Sequence, residues 1–286
     1  MKHILYILMG TLIVACSTTP LEVNIPQQEQ KTVVFSQVIP GRTMIIALTK
    51  SFGALELQQN EDDSISSSSL SRFLEDSATV TISYNGQSDT LFQIEKGLYA
   101  SISTPQEANI IYDLKIQNDR GEELTASAYM LPKINFDSSF PSIERSEDTT
   151  VSIDFSFTDL PGSNWYMINF YRQGENLDGL DVNSVFKNGD NNLVRTEIVS
   201  DATFDGVYTN QSIFSSDEMS ITDTIAVAVS NISEDYFKFL DLRKRGGNIF
   251  SELVSEPISY PTNIKNGYGF FNTHYPDIEI FDLNNY

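Results

Sequence analysis

The chain has 286 residues, of which 40% are apolar and 11% aromatic, and its formal net charge at pH 7 is −21. This apolar content predicts folded cores rather than a disordered chain, and the acidic surface excludes nucleic acid and anionic lipid headgroups as partners. One Cys and two His also exclude a disulfide framework and a zinc or copper site built from Cys and His ligands.

Residues 1–15 have the order of a secretory signal peptide. Lys2 precedes an apolar run that ends in small Ala15, directly before Cys16. The run has about a dozen residues, whereas a membrane span needs roughly 20. Residues 13–16 resemble the bacterial lipobox, which is cleaved before a cysteine that then carries the lipid. The alternative is an ordinary signal peptide with a chance cysteine, but Cys16 is the only cysteine in the chain and has no disulfide partner.

Residues 16–31 are predicted to form a lipid-anchored tether to the membrane. Pro20 and Pro26 stiffen this stretch, and few of its side chains could pack. Cleavage before Cys16 leaves 17 of the 18 Lys and Arg residues against all 39 Asp and Glu, a net charge of −22. About 255 residues follow the tether, which suits two domains of ordinary size or one large β domain.

Residues 32–133 show the pattern of a β-sandwich of immunoglobulin or fibronectin type. Residues 78–84 alternate strictly between apolar and polar side chains, and the hairpin signal Asn85-Gly86 follows them. Seven short strands in about 100 residues, without a helix, are typical of such a sandwich. The predicted strands are 32–38, 43–50, 78–84, 90–94, 98–102, 110–116 and 124–130.

Pro132 and the polar stretch 137–148 mark the predicted boundary to a second β-rich domain at 134–286. Residues 150–157 alternate with apolar side chains on one face, and residues 165–172 carry large apolar side chains on both faces. Residues 174–192 are rich in Asn, Asp and Gly, which is typical of a loop. The further predicted strands are 193–199, 211–214 and 223–229.

One helix is predicted in the second domain, at 233–245. Ser233 is a favourable N-cap, two acidic residues occupy the first turn and a basic triplet occupies the last, so the charges complement the helix dipole. Dipole compensation accounts for the triplet better than a docking patch does. Tyr236, Phe237 and Leu240 share a face that we expect to pack on the sheet.

Several short stretches carry a family resemblance. They are residues 21–26, 97–99, 112–116, 125–132, 232–236 and 261–270. On these the chain resembles the Bacteroidetes lipoproteins grouped as domain-of-unknown-function family 4249. The resemblance implies an envelope lipoprotein of the outer membrane, often encoded near TonB-dependent receptors, and no site residue can be carried over. Surface-exported members tend to have acidic residues after the cysteine, whereas Ser17, Thr18 and Thr19 follow here, so the side of the membrane stays open.

Two kinds of ligand site can be drawn from the residues. Trp165 and Phe270 are candidates for stacking against the CH-rich faces of sugars, although core packing is the commoner fate of aromatic side chains in β proteins. Asp190, among neighbouring Asn residues, could offer oxygen ligands to calcium, but it fits no calcium loop and a plain turn is favoured.

A recurring pattern of Asp, then Ser or Thr, then an aliphatic residue or Thr resembles the O-glycosylation sequon of exported Bacteroidetes proteins. It begins at Asp63, Asp76, Asp89, Asp148 and Asp223. Such short patterns also arise by chance. Ser64 and Ser77, in the expected surface loop, are the sites we predict.

The residue inventory favours binding over catalysis. A Ser-His-Asp or Cys-His system would have to be built around His274, the only histidine after the leader, and nothing singles out two acids for glycoside cleavage. We therefore expect a non-enzymatic, cofactor-free outer-membrane lipoprotein that is an accessory to an outer-membrane transporter. The alternatives are a surface glycan-binding or adhesin-like module and, last, a carboxylate-based hydrolase.

Overall fold

The computed structural model describes residues 30–39, 43–51, 73–145, 149–173, 193–246 and 261–286. Within them the chain is mainly β, as predicted, with one α-helix and two short 3-10 helices, Asp201–Thr203 and Leu283–Asn285, among the described elements. The strands of the first half are β1 (Thr32–Ile39), β2 (Thr43–Lys50), β3 (Thr79–Tyr84), β4 (Gln87–Thr90), β5 (Phe92–Glu95), β6 (Leu98–Ser101), β7 (Ile111–Gln117) and β8 (Glu123–Tyr129). The later elements are β9 (Ser138–Glu144), β10 (Thr150–Thr158), β11 (Trp165–Gln173), β12 (Leu193–Ser200), β13 (Val207–Ser215), β14 (Thr224–Ile232), α1 (Glu234–Gly246), β15 (Tyr268–Phe270) and β16 (Asp277–Asp282).

The first sandwich consists of two sheets with the orders β15-β1-β2-β6-β5 and β4-β3-β7-β8. In one layer the strands β1, β2 and β6 lie side by side, and the other layer consists of β4, β3, β7 and β8. These are the A-B-E and C′-C-F-G arrangements of the immunoglobulin and fibronectin folds, so the predicted sandwich type is confirmed by the strand order. Tyr112, near the start of β7, donates a hydrogen bond to Pro105 O (2.7 Å) and accepts one from Glu107 N (3.0 Å). This is the tyrosine corner of that fold.

The second sandwich repeats the arrangement. Its sheets have the orders β13-β10-β9 and β12-β11-β14-β16, which again correspond to A-B-E and C′-C-F-G. Its core contains the side chains of β10 that the sequence pattern places inward, Val151, Ile153, Phe155 and Phe157, together with Tyr166, Ile168 and Phe170 from one face of β11. Helix α1 and β15 both lie within the connection between β14 and β16, the last two strands of this sandwich.

The strand predicted at 90–94 is instead divided between the two sheets of the first sandwich. Residues up to Thr90 pair with β3, and residues from Phe92 pair with β6 in the opposite layer. Leu91, between them, is 5% exposed, and its N–H donates to Val80 O (2.8 Å). Burial of this one apolar side chain turns the chain from one sheet into the other, and the local pattern does not reveal such a crossing.

The polar stretch predicted as a domain boundary contains a strand. Residues 138–144 form β9, which pairs along its length with β10 at the edge of the second sandwich. Pro141 and the half-buried Ser139 and Ile143 face inward, while Ser138 and Ser142 face outward. An edge strand buries only one row of side chains, so its composition stays polar, and this is the reason that it resembles a linker.

Residues 263–271, which we predicted to belong to the second domain, close the open side of the first sandwich. Lys265 N donates to Thr125 O (2.8 Å) in β8, and β15 pairs in parallel with β1, with Phe270 opposite Phe35. Ile264 and Phe271 lie in the first core. Gly269 has a φ of +90°, and a Cβ there would collide with the backbone of Val34, so only glycine allows this approach.

Helix α1 is confirmed, and Ser233 is its N-cap, since Ser233 Oγ accepts a hydrogen bond from Tyr236 N (3.3 Å). The helix packs on β11 and β12. Phe239 is its most buried large side chain at 5% exposed, whereas the predicted face named Phe237 and Leu240, which are half-buried. No helix in the described part of the chain has the length and apolar character to cross a membrane.

Candidate functional site

Three of the predicted sites lie outside the described residues. They are the lipidation site Cys16, the glycosylation candidate Ser64 and the calcium candidate around Asp190. The remaining candidates, Ser77, Trp165 and Phe270, fall on separate parts of the fold.

Ser77 lies at an exposed turn before β3. Its φ is 63°, in the left-handed region, and its backbone N–H donates to Asp76 Oδ1 (3.1 Å). The same oxygen accepts a hydrogen bond from Gln93 Nε2 (2.9 Å), which holds the pKa of Asp76 below its usual value. The hydroxyl of Ser77 is therefore presented at the surface on a turn whose backbone is fixed by its neighbour.

The predicted stacking residues do not form an open platform. Phe270 is 5% exposed, and its ring lies 5.3 Å from that of Tyr236 and 5.4 Å from that of Phe239, centroid to centroid. Trp165, the first residue of β11, is half-buried. Phe270 thus joins helix α1 to β15, which is a packing role.

These rings belong to a junction that couples the two sandwiches. Helix α1 rests on the second sandwich, while its Tyr236 and Phe239 contact Phe270 of the first. The Arg243 guanidinium lies 6.0 Å from the Phe35 ring of β1, the outer limit for a cation–π contact. The helix therefore contacts both sandwiches.

Polar contacts continue the junction. Ser36 Oγ donates to Asn272 O (2.7 Å) and accepts from Asn272 N (2.7 Å). Asp277, at the start of β16, accepts a hydrogen bond from Phe136 N (2.9 Å) and forms an ion pair with Lys133 (2.9 Å). The segment after β15 is thus held by β1 before it enters the second sandwich.

His274 lies in this segment and is 6% exposed. Its Nδ1 is 3.0 Å from Asn272 Nδ2, so the ring accepts from the amide as the neutral tautomer protonated on Nε2. Burial lowers the pKa of His274 to about 4. A neutral imidazole buried this deeply does not meet a bulky substrate, which argues against a nucleophile system built around it.

A buried carboxylate occupies the end of the first sandwich where β1 begins. Glu75 is fully buried, and its Oε2 accepts a hydrogen bond from Thr32 Oγ1 (3.3 Å) and lies 3.5 Å from Arg120 Nη1. Its Oε1 accepts no hydrogen bond from any described residue, and Lys50 Nζ is 3.9 Å away. Desolvation by burial raises the pKa of Glu75, against the opposing effect of Arg120 and Lys50. The cluster locks the first residue of β1 to the β7–β8 turn.

The outward face of the β13-β10-β9 sheet, here called the hydroxyl face, has a different character. Ser138 and Ser156 are hydrogen-bonded through their hydroxyls at 2.8 Å, and Ser142 and Ser152 at 2.7 Å. Between these pairs a cross-strand row runs through Phe140, Asp154 and Gln211, one residue from each strand. The ring of Phe140 is 52% exposed.

Sequence reasoning singled out His274 only as the one histidine left for a nucleophile system, and it did not single out the buried Glu75 or the hydroxyl face. The available signal was for the last alone: Ser152, Asp154 and Ser156 alternate with the inward residues of β10 and so mark its polar side. In the described ranges, no three His, Cys, Asp or Glu residues are grouped so as to hold a metal ion.

In a comparison with known protein families, one family model matches the chain. The model described as Domain of unknown function (DUF4249) matches residues 18–275. A search of the curated proteins found no match to the chain.

Two solved structures show a distant likeness. The FN1–FN3 domains of chicken CNTN1 share 12% identity at a TM-score of 0.26, over 70% of this chain and 60% of that one. Trypsin-activated alpha-2-macroglobulin from Escherichia coli shares 10% identity at a TM-score of 0.24, over 71% of this chain and 14% of that one. The chain therefore spans less than two thirds of either structure. The fold assignment rests on the strand order and not on these likenesses.

Proposed function

The chain belongs to the DUF4249 family, and from this premise we propose that it is an outer-membrane lipoprotein, anchored through Cys16, that works by binding rather than by catalysis. Its partner in this proposal is an outer-membrane transporter of the TonB-dependent class. The charged start, short apolar run and single cysteine of residues 1–16 support the anchor. Two or more acyl chains on Cys16 would give stable attachment, since one chain alone is marginal.

The observation that carries the binding role is the coupling of the two sandwiches. Residues 263–271 complete the first sandwich before β16 completes the second, and helix α1 contacts both. Surfaces of the two sandwiches are thereby held in one mutual arrangement. A preorganised surface loses little conformational entropy when a partner docks, which is an advantage for an accessory protein.

The attachment point of the tether also supports the proposal. β1 begins at Thr32, immediately after the predicted tether, and the Thr32 side chain is fully buried against Glu75, Asn118 and Arg120. A pull on the tether therefore acts on a strand that is fastened at its first residue. The folded body would keep its arrangement while anchored.

Two measurements on the native host test this proposal. Metabolic labelling with a palmitate analogue should label the wild-type protein, and Cys16→Ser should abolish both the label and the membrane fraction. Ser17→Ala is the matched control and should retain both. A wild-type product without label in the soluble fraction would contradict the anchor.

The partner is tested by co-purification from membranes in a mild detergent. We expect a β-barrel transporter to accompany the wild-type protein at a fixed stoichiometry. A labelled lipoprotein that purifies alone would remove the transporter from the proposal and leave the anchor intact.

A further inference from the structure

The hydroxyl face of the second sandwich carries the side chains of a carbohydrate site, at a place other than the aromatic residues that the sequence suggested. β10 contributes Ser152, Asp154 and Ser156 to this face, because its intervening apolar residues are buried in the core. The neighbouring strands contribute Phe140 from β9 and Gln211 from β13. We propose that this face binds a neutral glycan, with Phe140, Asp154 and Gln211 as its central row.

The geometry of the row supports this ligand class. Adjacent strands lie about 4.8 Å apart, so three side chains in one cross-strand row extend over about 10 Å, which suits a short stretch of a sugar chain. The exposed Phe140 ring stands at one end and the exposed Gln211 amide at the other, with the Asp154 carboxylate between them. A ring offers its face to sugar CH groups, and the carboxylate and amide offer hydrogen bonds to hydroxyls.

The Asp154 carboxylate is left without a polar partner by the part of the chain that the structure describes. It is half-buried, and no described residue forms a hydrogen bond or ion pair with its carboxylate. An ionised carboxylate accepts hydrogen bonds at both oxygens, and bonds to a charged group are stronger than those between neutral groups. Sugar hydroxyls, which are abundant donors, match this acceptor.

The paired serines beside the row also offer acceptors. In each of the pairs Ser138–Ser156 and Ser142–Ser152, one hydroxyl donates a hydrogen bond to the other, so the donating oxygen has only acceptor capacity left. A further row, Ser142–Ser152–Ile213, places the 56% exposed Ile213 diagonally opposite Phe140. Two apolar side chains therefore flank a centre of oxygen atoms.

The charge of the face selects a neutral ligand over an anionic one. Its outward residues include Asp154 and Glu144 but no Lys or Arg. A phosphorylated, sulfated or uronic-acid chain would be repelled both here and by the net charge of −21.

Pairing of another strand along the open edge is disfavoured, because Pro141 in β9 lacks a backbone N–H.

The test uses the mature lipoprotein in a detergent without a sugar headgroup, titrated with linear neutral glucans, mannans, galactans and xylans. At least one of them should bind, and Phe140→Ala should weaken that binding about fivefold to tenfold. Asp154→Asn keeps the shape but removes the charge, and should weaken it at least about tenfold. Phe92→Ala on the first sandwich, a 49% exposed phenylalanine, is the matched control and should bind as the wild type does.

Each alternative result overturns the proposal. These results are failure of all four glycan classes to bind at millimolar sugar concentration, binding of acidic glycans only, and binding that Phe140→Ala and Asp154→Asn leave unchanged. The thermal unfolding midpoint of each variant shows whether a lost affinity reflects unfolding, and Gln211→Ala, at an exposed position, supplies a further variant with little effect on folding. Cys16→Ser should not alter glycan affinity, so failure of this site is distinguishable from failure of the anchor.

Discussion

The ring of Phe270, in the strand that closes the first sandwich, lies 5.4 Å from the ring of Phe239, in the helix that packs on the second. Both rings are 5% exposed. The contact joins two folding units through a helix that belongs to the connection between two strands of one of them. Loss of this contact should therefore affect the coupling of the units as well as the local packing.

We predict that Phe239→Ala destabilises the protein by about 3–5 kcal/mol, the usual cost of removing a buried phenylalanine side chain. It should also separate the unfolding of the two sandwiches into two calorimetric transitions, because the helix no longer holds them together. Leu242→Ala, on the same helix at a 37% exposed position, is the control and should preserve the wild-type profile. A single unshifted transition for Phe239→Ala would contradict this role.

Local alternation was sufficient to predict most of the β structure. The inward side chains of β10, from Val151 to Phe157, were assigned to the correct face because a strand has a two-residue period. The pairing of β15 with β1 was not predictable in this way. Ser36 and Asn272, for example, are 236 positions apart and bond through a hydroxyl and a backbone, which leave no periodic signal.

The candidate sites were harder to predict for a related reason. An aromatic residue looks the same in sequence whether it is exposed or buried, and Phe270 and Phe140 took opposite roles because of tertiary contacts. Asp154 and Gln211 become neighbours only through the pairing of β10 with β13. A site assembled from three strands is therefore visible only once the sheet order is known.

Gly269 provides a second test of the closing segment. A Cβ at this position would collide with Val34, whereas a Cβ at Gly121 would meet nothing within 4 Å, although both residues have a positive φ. Gly121→Ala should cost about 1 kcal/mol for its left-handed backbone. Gly269→Ala should cost that amount plus about 1–3 kcal/mol of overpacking, measured by urea unfolding. Equal costs would show that the segment does not approach β1 this closely.

His274 should make stability depend on pH. Its pKa is about 4 in the folded protein, against the ordinary value of 6.5, so the unfolded chain binds more protons between these two values. The contribution of neutral His274 is complete above pH 6.5 and is lost as the pH falls toward 4. The loss should amount to roughly 3 kcal/mol, since each pKa unit corresponds to about 1.4 kcal/mol.

The measurement for His274 is direct, because the chain has only one other histidine, His3. Its ring proton in an NMR titration should report a pKa near 4, and His274→Gln should flatten the stability profile between pH 6.5 and 4. A titration near the ordinary value would mean that the ring is open to solvent.

The buried carboxylate at the start of β1 gives the last prediction. Burial raises the pKa of Glu75 even though Arg120 and Lys50 oppose the shift, so desolvation outweighs the pairing. Removal of Arg120 by Arg120→Met should destabilise the protein at pH 7, by about 2–4 kcal/mol, because it leaves a buried charge without its closest cation. Glu75→Gln, which removes the charge itself, should cost less than Arg120→Met. In the Glu75→Gln background Arg120→Met should lose most of its effect, so that a double-mutant cycle at pH 7 yields a coupling free energy above 1 kcal/mol, roughly the upper limit for exposed pairs.

Lys115→Met, which breaks the exposed ion pair with Glu123, is the matched control and should change stability by no more than about 0.5 kcal/mol. Additive effects of the Glu75 and Arg120 variants would mean that the carboxylate is solvated and that β1 is held by its backbone pairing alone.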